Sequence, residues 1–273
     1  MTGTMTGTMP GTITGTITGS LAGARGLVIG VSSANSIGYA IARHVRAQGA
    51  DVTITCRAPR LDRVAPLAAE LGGRALALDV TDEPSLAAAF AELGPAPLDF
   101  VVHSVVDIPQ GVLARPMLDV SRDDFAHVMS VSAWSLIAVC RHARPLLVQS
   151  KAPRVVALTS ACSHRMTPNY HVAGIAKAAL ESAVLYLAMQ LGRQSILVNA
   201  VSSSFVATDG ALRAIGAEHA SATRGVQARR SATGRAIDLD DIARSVGFLC
   251  SPMASNLTGE VLTVDGGYSR AYL

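Results

Sequence analysis

The segment from Arg154 to Leu187 narrows the choice of fold more than any other part of the sequence. It opens with a short apolar run over residues 154–158, which has the length and composition of a buried strand. A polar loop follows, and Pro168 and Asn169 stand where a long helical pattern can begin. A buried strand that leads through a loop into a long helix is typical of an open α/β sheet, which binds ligands beyond the carboxyl ends of its strands.

Three polar side chains of this segment are predicted to meet at that end of the strand. Lys177 follows Tyr170 by seven residues, about 700° around a helix axis, so the two share one helix face. Helical side chains lean toward the N-terminus, which points Lys177 back toward Tyr170 in the first turn. Ser160 lies near the end of the preceding strand. The phenol can donate to a developing oxyanion, and the ammonium can hold a ribose and lower the phenol pKa. The alternative is that Tyr170 and Lys177 are ordinary residues of a helix face.

Composition restricts the class of protein. The 273 residues suit a single α/β domain, and a hydrophobic content of 49% allows a large core. A formal net charge of +3 without a dense Lys/Arg run argues against nucleic acid, and four scattered cysteines argue against a zinc site or a disulfide framework. No apolar run approaches the roughly 18 residues of a membrane helix. We therefore predict a cytoplasmic protein with no metal and no membrane partner.

Residues 1–23 differ from the rest of the chain because they begin with a repeat of Thr, Gly and Met. They lack the basic start and the Leu-rich stretch of a secretory signal, and glycine at this density cannot hold a helix. We predict a flexible tail here and one folded domain over residues 24–273.

A second segment predicts nucleotide binding. Residues 26–31 form an apolar run, and the small residues after Gly30 lead into a helical pattern that starts near Ser36 and Ile37. A turn of small residues between a strand and a helix N-terminus lets backbone N–H groups meet a pyrophosphate. Many such turns contain glycine, so this segment is informative only together with the first.

Both segments resemble the short-chain dehydrogenase/reductase family, and in particular its enoyl-acyl-carrier-protein reductase branch. Tyr170 and Lys177 match the branch's spacing of Tyr, six residues and Lys. Commoner members have only three residues between the two and would need a Tyr at the position of Ala173. The turn reads Gly30, five residues, Ser36, which is again similar to the branch's variant.

The resemblance covers residues 26–268 and implies the fold. We expect a single-domain α/β Rossmann fold, a doubly wound parallel sheet of seven strands with a small substrate lid over about residues 209–234. A homotetramer is implied as well. The resemblance assigns catalysis to Ser160, Tyr170 and Lys177, and cofactor binding to Gly30, Ser36, Ile37, Arg57, Asp79, Val80, Ser104, Val105, Lys177, Val206 and Thr208.

The end of the second predicted strand, Asp51–Cys56, bears on the choice of cofactor. Relatives that use NAD have an acidic residue there for the ribose hydroxyls. This chain has Cys56 and then Arg57, so no carboxylate repels a 2′-phosphate and a guanidinium can pair with it. We therefore predict NADPH rather than NADH. The alternative is that Arg57 and Arg60 are solvated loop residues.

Some positions depart from the family's pattern. Residues 103–106 are close to the branch's His-Ser-Ile-Gly, which implies a structural His103, but Val106 replaces Gly and should narrow the space near the nicotinamide. Phe205 replaces a proline after the sixth predicted strand. Ser160 stands where the branch often has a second Tyr and matches the ketone-reducing members instead.

The predicted lid carries a local excess of positive charge. Such an excess suits the phosphate of a phosphopantetheine arm or an acidic acyl carrier protein, and the alternative is a solvated lid face. The basic residues are Arg213, Arg224, Arg229, Arg230 and Arg235, against Asp209 and Glu218.

Three functions remain open on the sequence. The first is NADPH-dependent reduction of the C=C bond of an enoyl thioester, linked to acyl carrier protein or coenzyme A, in fatty-acid or secondary-metabolite biosynthesis. Hydride would go to the β-carbon, and Tyr170 would stabilise the enolate. The second is an NADPH-dependent carbonyl reductase in which Ser160 and Tyr170 polarise the C=O bond. The third is a nucleotide-binding homologue without redox turnover, against which the set of Ser, Tyr and Lys argues.

Overall fold

The computed structural model describes residues 20–271 and shows a seven-stranded parallel sheet with a core on each face. The strands are β1 (Arg25–Ile29), β2 (Asp51–Cys56), β3 (Arg74–Ala77), β4 (Phe100–His103), β5 (Arg154–Ser160), β6 (Leu197–Ser203) and β7 (Val261–Val264). Their order across the sheet is β3-β2-β1-β4-β5-β6-β7, so the direction of winding reverses between β1 and β4. The predicted doubly wound Rossmann fold is confirmed, and a crevice is expected at this reversal, beyond the carboxyl ends of the strands.

Helices connect the strands, as the crossovers of a parallel sheet require. In the described part of the chain they are α1 (Ile37–Ala47), α2 (Leu61–Glu70), α3 (Glu83–Leu93), α4 (Arg122–Met129), α5 (Ser135–Leu147), α6 (His171–Gly192), α7 (Asp209–Ile215), α8 (Ala217–Arg230) and α9 (Leu239–Cys250). A short stretch of π-helix, Ser130–Trp134, joins α4 to α5.

Successive strand residues pack on opposite faces of the sheet. Leu27 and Ile29 of β1 belong to the core that α3, α5 and α6 cover, while Val28 between them belongs to the core under α1, α2 and α9. Because both faces are covered, a strand such as β5 is almost entirely apolar. The buried sheet therefore fixes the positions of the polar loops at its strand ends.

The start of α6 differs from the prediction. The helix begins at His171, so Tyr170 is its N-cap residue and lies outside the first turn. Asn169 has a φ of 55°, in the left-handed region that helices do not use, and the helix therefore cannot begin at Pro168 or Asn169. The side chain of Tyr170 therefore branches from the residue just before the first helical residue, His171.

The apolar character of α6 also corrects an expectation. By length and composition alone, with a mean hydropathy of 1.5, this helix is long and apolar enough to cross a membrane, which the absence of a long uninterrupted apolar run did not indicate. Half of the apolar window is buried inside the domain, where Leu180 and Val184 form part of the core. The helix is apolar because it covers the sheet, and it carries Lys177 on its buried side.

The predicted tail covers residues 1–23, and residues 1–19 of it lie outside the described residues. Leu21 is buried in the core that α1 covers, and the amides of Leu21 and Gly23 donate to the carbonyls of Gln48 and Gly49 at 3.2 Å each. The packed domain therefore begins a few residues before the predicted start at residue 24.

The sequence pattern predicts the third, fourth and seventh strands over residues 75–80, 98–106 and 259–268, but β3, β4 and β7 end three to four residues earlier, at Ala77, His103 and Val264. At β7 the cause is a turn in which Gly266 and Gly267 adopt φ values of 63° and 82°. At β3 and β4 the earlier end moves predicted cofactor residues out of the strands and into loops at the carboxyl edge of the sheet. These residues are Asp79, Val80, Ser104 and Val105.

Candidate active site

The crevice between β1 and β4 narrows to backbone contact at Gly30. This residue has a φ of 97°, and a Cβ atom on it would lie 2.2 Å from the carbonyl oxygen of Ser104 and 2.8 Å from Cγ1 of Val105. Glycine is the residue that fits both constraints. The cradle suits a dinucleotide pyrophosphate, because the turn after Gly30 leads to the N-terminus of α1, where unpaired backbone N–H groups attract anions.

Ser36 and Ile37 define that helix end. Ser36 is the N-cap residue of α1, and its Oγ accepts from the Tyr39 amide at 3.4 Å and donates to the Ser33 carbonyl at 2.7 Å. Ile37 is the first helical residue. The local hydrogen bonds hold the turn in shape, so its amides are ordered without a ligand.

The loop after β6 forms another wall of the crevice. Val206 is buried, and Thr208 caps α7 because its Oγ1 accepts from the Ala211 amide at 3.2 Å. Asn35, in the turn after β1, donates through Nδ2 to the Ala207 carbonyl at 3.1 Å. The two loops are thus joined, and sequence reasoning passed over Asn35 because its partners are distant in the chain.

Phe205, at a position where the family resemblance implies proline, makes a contact that proline cannot make. Gln227 of α8 is buried, and with its amide oriented to satisfy both groups it donates to the Phe205 carbonyl at 3.0 Å. Its oxygen accepts from the Phe205 amide at 2.8 Å. Proline has no amide hydrogen, so this second bond requires a different residue. These two hydrogen bonds hold α8 against the loop after β6, which forms a wall of the crevice.

Ser160, Tyr170 and Lys177 surround the end of β5. Ser160 is the last residue of the strand, and its Oγ lies 3.0 Å from Sγ of Cys162. Lys177 is buried and donates through Nζ to the Leu158 carbonyl of the same strand at 2.8 Å. Tyr170 is half-buried, and Cys162 influences the pKa of both Tyr170 and Lys177. Cys162 is therefore a common neighbour of the three groups, and sequence reasoning did not assign it to the site.

The electrostatics of the phenol differ from the expectation. Burial raises the pKa of Tyr170 to about 12, and the thiol of Cys162 adds to the increase. The expected lowering by Lys177 is wrong, because Lys177 is bound to the Leu158 carbonyl and no hydrogen bond joins the two side chains within residues 20–271. Burial lowers the pKa of Lys177 to about 8, although Cys162 and Glu181 oppose the decrease. At neutral pH the phenol is thus protonated and able to donate, and most of the lysine is charged.

The lysine predicts a pH dependence of cofactor binding. Because its pKa is about 8, Lys177 loses its charge as the pH rises past that value, and a charge-assisted hydrogen bond to a ribose hydroxyl is lost with it. We expect the affinity for the nicotinamide dinucleotide to be level below about pH 7 and to fall up to about tenfold by pH 9.5. Titration calorimetry across this range measures the effect. Lys177→Met should remove the pH dependence and the exposed control Lys151→Met should keep it; an unchanged profile in Lys177→Met would contradict the prediction.

The residues predicted for the adenosine end lie just beyond β2, β3 and β4. The carboxylate of Asp79 accepts from the amide and the hydroxyl of Thr81 at 2.9 and 2.6 Å, and Val80 is buried. Arg57 is not free, because its Nη1 lies 3.2 Å from Oδ2 of Asp107 in the loop after β4. Sequence reasoning missed Asp107, since the pair joins loops that follow different strands.

His103 cannot act as a proton donor in the crevice. It is completely buried, and its Nε2 lies 2.7 Å from Oγ of Ser135. Burial lowers its pKa to about 3, and the charge of Lys177 adds to the decrease. The imidazole is therefore neutral and structural. Val106, three residues on, is 64% exposed and lines a small cavity beside Lys177.

Comparison with known proteins gives one consistent family. A family model described as enoyl-(acyl carrier protein) reductase matches residues 30–269. The enoyl-[acyl-carrier-protein] reductase [NADH] 2 of Rhizobium meliloti is 36% identical over 249 residues, which are 90% of this chain and 91% of that protein. The crystal structure of an enoyl-[acyl-carrier-protein] reductase (NADH) from Aquifex aeolicus superposes with a TM-score of 0.87 at 32% identity, over 93% of this chain and 100% of that one. A Bacillus cereus enoyl-acyl carrier protein reductase, solved with NADP⁺, gives a TM-score of 0.88 at 32% identity, with the same coverage.

The curated relatives favour NADH and overturn the prediction of NADPH over NADH. Curated relatives that are 33–36% identical to this chain are named as NADH enzymes. The prediction treats Arg57 as an unpaired guanidinium. In the structure its Nη1 lies 3.2 Å from Oδ2 of Asp107, a carboxylate in the loop after β4.

Proposed function

The chain belongs to the enoyl-acyl-carrier-protein reductase family, and on this premise we propose that it reduces the C=C bond of an enoyl thioester with NADH. The substrate would be carried by an acyl carrier protein in fatty-acid biosynthesis, with secondary-metabolite biosynthesis as the alternative setting. The observation that carries the proposal is the neutral phenol of Tyr170 at the entrance of α6, in the branch's spacing with the buried ammonium of Lys177. When bound, the nicotinamide would supply hydride to the β-carbon, and a proton from solvent at the α-carbon would complete the reduction.

The side chains of the site have distinct tasks in this proposal. Tyr170 donates a hydrogen bond to the thioester oxygen as negative charge develops there, and burial strengthens this interaction. Lys177 holds the ribose hydroxyls and contributes positive charge to the site. The turn after Gly30 holds the pyrophosphate through backbone amides. These assignments rest on the geometry of the crevice and on the family's spacing.

A carbonyl reductase is the second candidate, and Ser160 is the observation that favours it. Its hydroxyl lies at the end of β5, in the same region as Tyr170, where ketone-reducing members use a serine to polarise the carbonyl. In that reaction hydride goes to the carbonyl carbon, and the oxygen must receive a proton from the phenol.

A matched pair of substrates separates the two candidates. Consumption of NADH is measured with an enoyl thioester and with the β-ketoacyl thioester of the same chain length on the same carrier. We expect turnover of the enoyl thioester and little or none of the ketone. The reverse order would contradict the proposal and favour carbonyl reduction.

The predicted lid, residues 209–234, consists mainly of α7 and α8, which meet at Gly216 with a φ of 79°. Arg224 is bound to the Ile237 carbonyl at 3.3 Å, and Arg235 pairs with Asp241 at 2.6 Å. Arg229, near the end of α8, is exposed. From the exposed lid arginines we propose this one for contact with an acidic carrier protein.

Charge reversal at this residue tests carrier recognition. Arg229→Glu should raise KM for a carrier-bound enoyl substrate about three- to tenfold at low salt, because like charges then meet at the rim of the contact. The N-acetylcysteamine thioester of the same acyl group should be used as before. Arg193→Glu, an exposed arginine beyond the end of α6, is the matched control. Equal losses on both substrates, or a loss that added salt does not reduce, would contradict a carrier contact.

We also propose a homotetramer in the cytoplasm, as the family resemblance implies. The outer side of α6 supports an assembly, because it leaves several large apolar side chains exposed, which is typical of an interface. They are Leu185, Tyr186 and Met189, at 56%, 68% and 70% exposure.

A further inference from the structure

The carboxylate of Asp107 lies between two basic side chains at the edge of the crevice. Its Oδ2 is 3.2 Å from Nη1 of Arg57 and 3.1 Å from Nε2 of His127. Arg57 follows β2, Asp107 follows β4, and His127 belongs to α4, so the contact joins three separate elements. Both partners bind the same oxygen, and the carboxylate is thereby held in one position.

This contact lies where a Rossmann fold recognises the adenosine ribose. In such folds the residue at the end of the second strand binds the 2′-hydroxyl if it is acidic, and an arginine nearby accommodates a 2′-phosphate. Arg57 is the first residue after β2 and is the available guanidinium. Asp107 occupies it, and a 2′-phosphate would have to displace this carboxylate or bind beside it.

The other charges in this region are mostly positive. Arg60 lies close enough to Arg57 and Arg213 for their charges to lower its pKa, after burial as the first cause, while Asp107 opposes the decrease. The carboxylate of Asp79 accepts hydrogen bonds from Thr81 and is also influenced by the charge of Arg57, but no ion pair joins it to Arg57 within residues 20–271. Asp107 is therefore the carboxylate that offsets Arg57 directly, and without it the region would attract a phosphate.

We propose that Asp107 is the residue that makes the adenosine end of the site select NADH against NADPH. It does so by occupying Arg57 and by presenting a negative charge where a 2′-phosphate would bind. The inference rests on the proposed function, because it concerns the cofactor of that reaction, but it is tested by binding alone.

The test compares NAD⁺ and NADP⁺ by titration calorimetry on the full chain without substrate. Asp107→Asn should tighten NADP⁺ binding about tenfold, the size of one charge-assisted hydrogen bond, and change NAD⁺ binding less than about twofold. Adding Arg57→Ala to Asp107→Asn should cancel the gain, whereas Arg57→Ala alone should change NADP⁺ binding less than about threefold. Asp240→Asn is the matched control, since Asp240 also pairs with an arginine, Arg43 at 2.8 Å, on the outer side of α1 and α9.

The outcomes separate this inference from the function itself. If NAD⁺ binds and Asp107→Asn leaves the ratio of the two affinities unchanged, the inference is wrong and the proposed function stands. The same holds if Asp240→Asn shifts the ratio equally, because the effect is then one of net charge. If neither dinucleotide binds the unmutated chain, the proposed function and the inference both fail. Thermal melts of each variant confirm that the fold is retained.

Discussion

Replacing Tyr170 with phenylalanine should lower the kcat of enoyl reduction about 100- to 1000-fold and still leave measurable turnover. This is the typical loss for removal of one donor to a developing oxyanion. The residual rate is expected because hydride goes to carbon, and the oxygen needs only stabilisation as charge develops. In carbonyl reduction the same oxygen must take a proton as hydride arrives, so loss of the phenol would nearly abolish the reaction. Stopped-flow measurement of NADH oxidation with enzyme in excess isolates the chemical step.

Ser160→Ala is the companion variant, because only carbonyl reduction gives this hydroxyl a direct role. We expect it to change enoyl reduction less than about fivefold, since its main contact is the Sγ atom of Cys162 at 3.0 Å. If Ser160→Ala removes activity as thoroughly as Tyr170→Phe, and the substrate reduced is the ketone, enoyl reduction is not the reaction of this chain. The family resemblance would then describe ancestry rather than chemistry.

Gly30→Ala should both destabilise the domain and prevent tight cofactor binding. The added Cβ would lie 2.2 Å from the Ser104 carbonyl oxygen, and the φ of 97° is strained for alanine. Strain and overpacking together suggest a loss of about 3 kcal/mol in the free energy of unfolding, or about 6–12 °C in Tm. To relieve the contact, the loops after β1 and β4 must separate, which spreads the cradle and should weaken NADH binding at least about tenfold.

Gly94→Ala is the matched control for this prediction. Gly94 has a similar φ of 84°, but a Cβ atom on it would have no heavy atom within 4 Å apart from its own chain neighbours, so this variant tests backbone strain without a clash. We expect a loss of about 1–2 kcal/mol and an unchanged affinity for NADH. Melting curves and calorimetry of the two variants side by side decide the matter. Equal effects of both on NADH affinity would contradict a cradle built around Gly30.

The sequence predicted the sheet well because its strands are short apolar runs buried on both faces, and runs of this length are typical of strands in a parallel sheet. It also predicted, from helix geometry, that Tyr170 and Lys177 would share one region, but that geometry holds only from His171 onward because Tyr170 is the N-cap residue. The start of the helix was missed because a single left-handed residue, Asn169, decides it. Propensity places Asn in turns but does not say on which side of a helix boundary the turn ends.

Long-range polar contacts were the part that sequence patterns did not predict. Considered alone, Arg57 indicated a phosphate site. Its partner Asp107 follows another strand, so the sequence pattern did not show that the two are paired. In the same way, Phe205 departs from the expected proline, but its structural role depends on hydrogen bonds to Gln227 in α8. Charges and amides acquire their roles from tertiary neighbours, whereas apolar periodicity is local and can be observed along the chain.

The contact between Lys177 and the Leu158 carbonyl has a consequence for preorganisation of the site. A free lysine side chain loses up to about 2 kcal/mol of rotamer entropy when a ligand immobilises it. Here the ammonium is already fixed by one hydrogen bond at 2.8 Å, so that loss occurs on folding and not on cofactor binding. An ammonium has three N–H donors, and two remain to be presented in a fixed direction toward a diol. Under the proposed function, the lysine would act as a rigid donor of two hydrogen bonds, and a bound ribose would gain both without having to order the side chain that makes them.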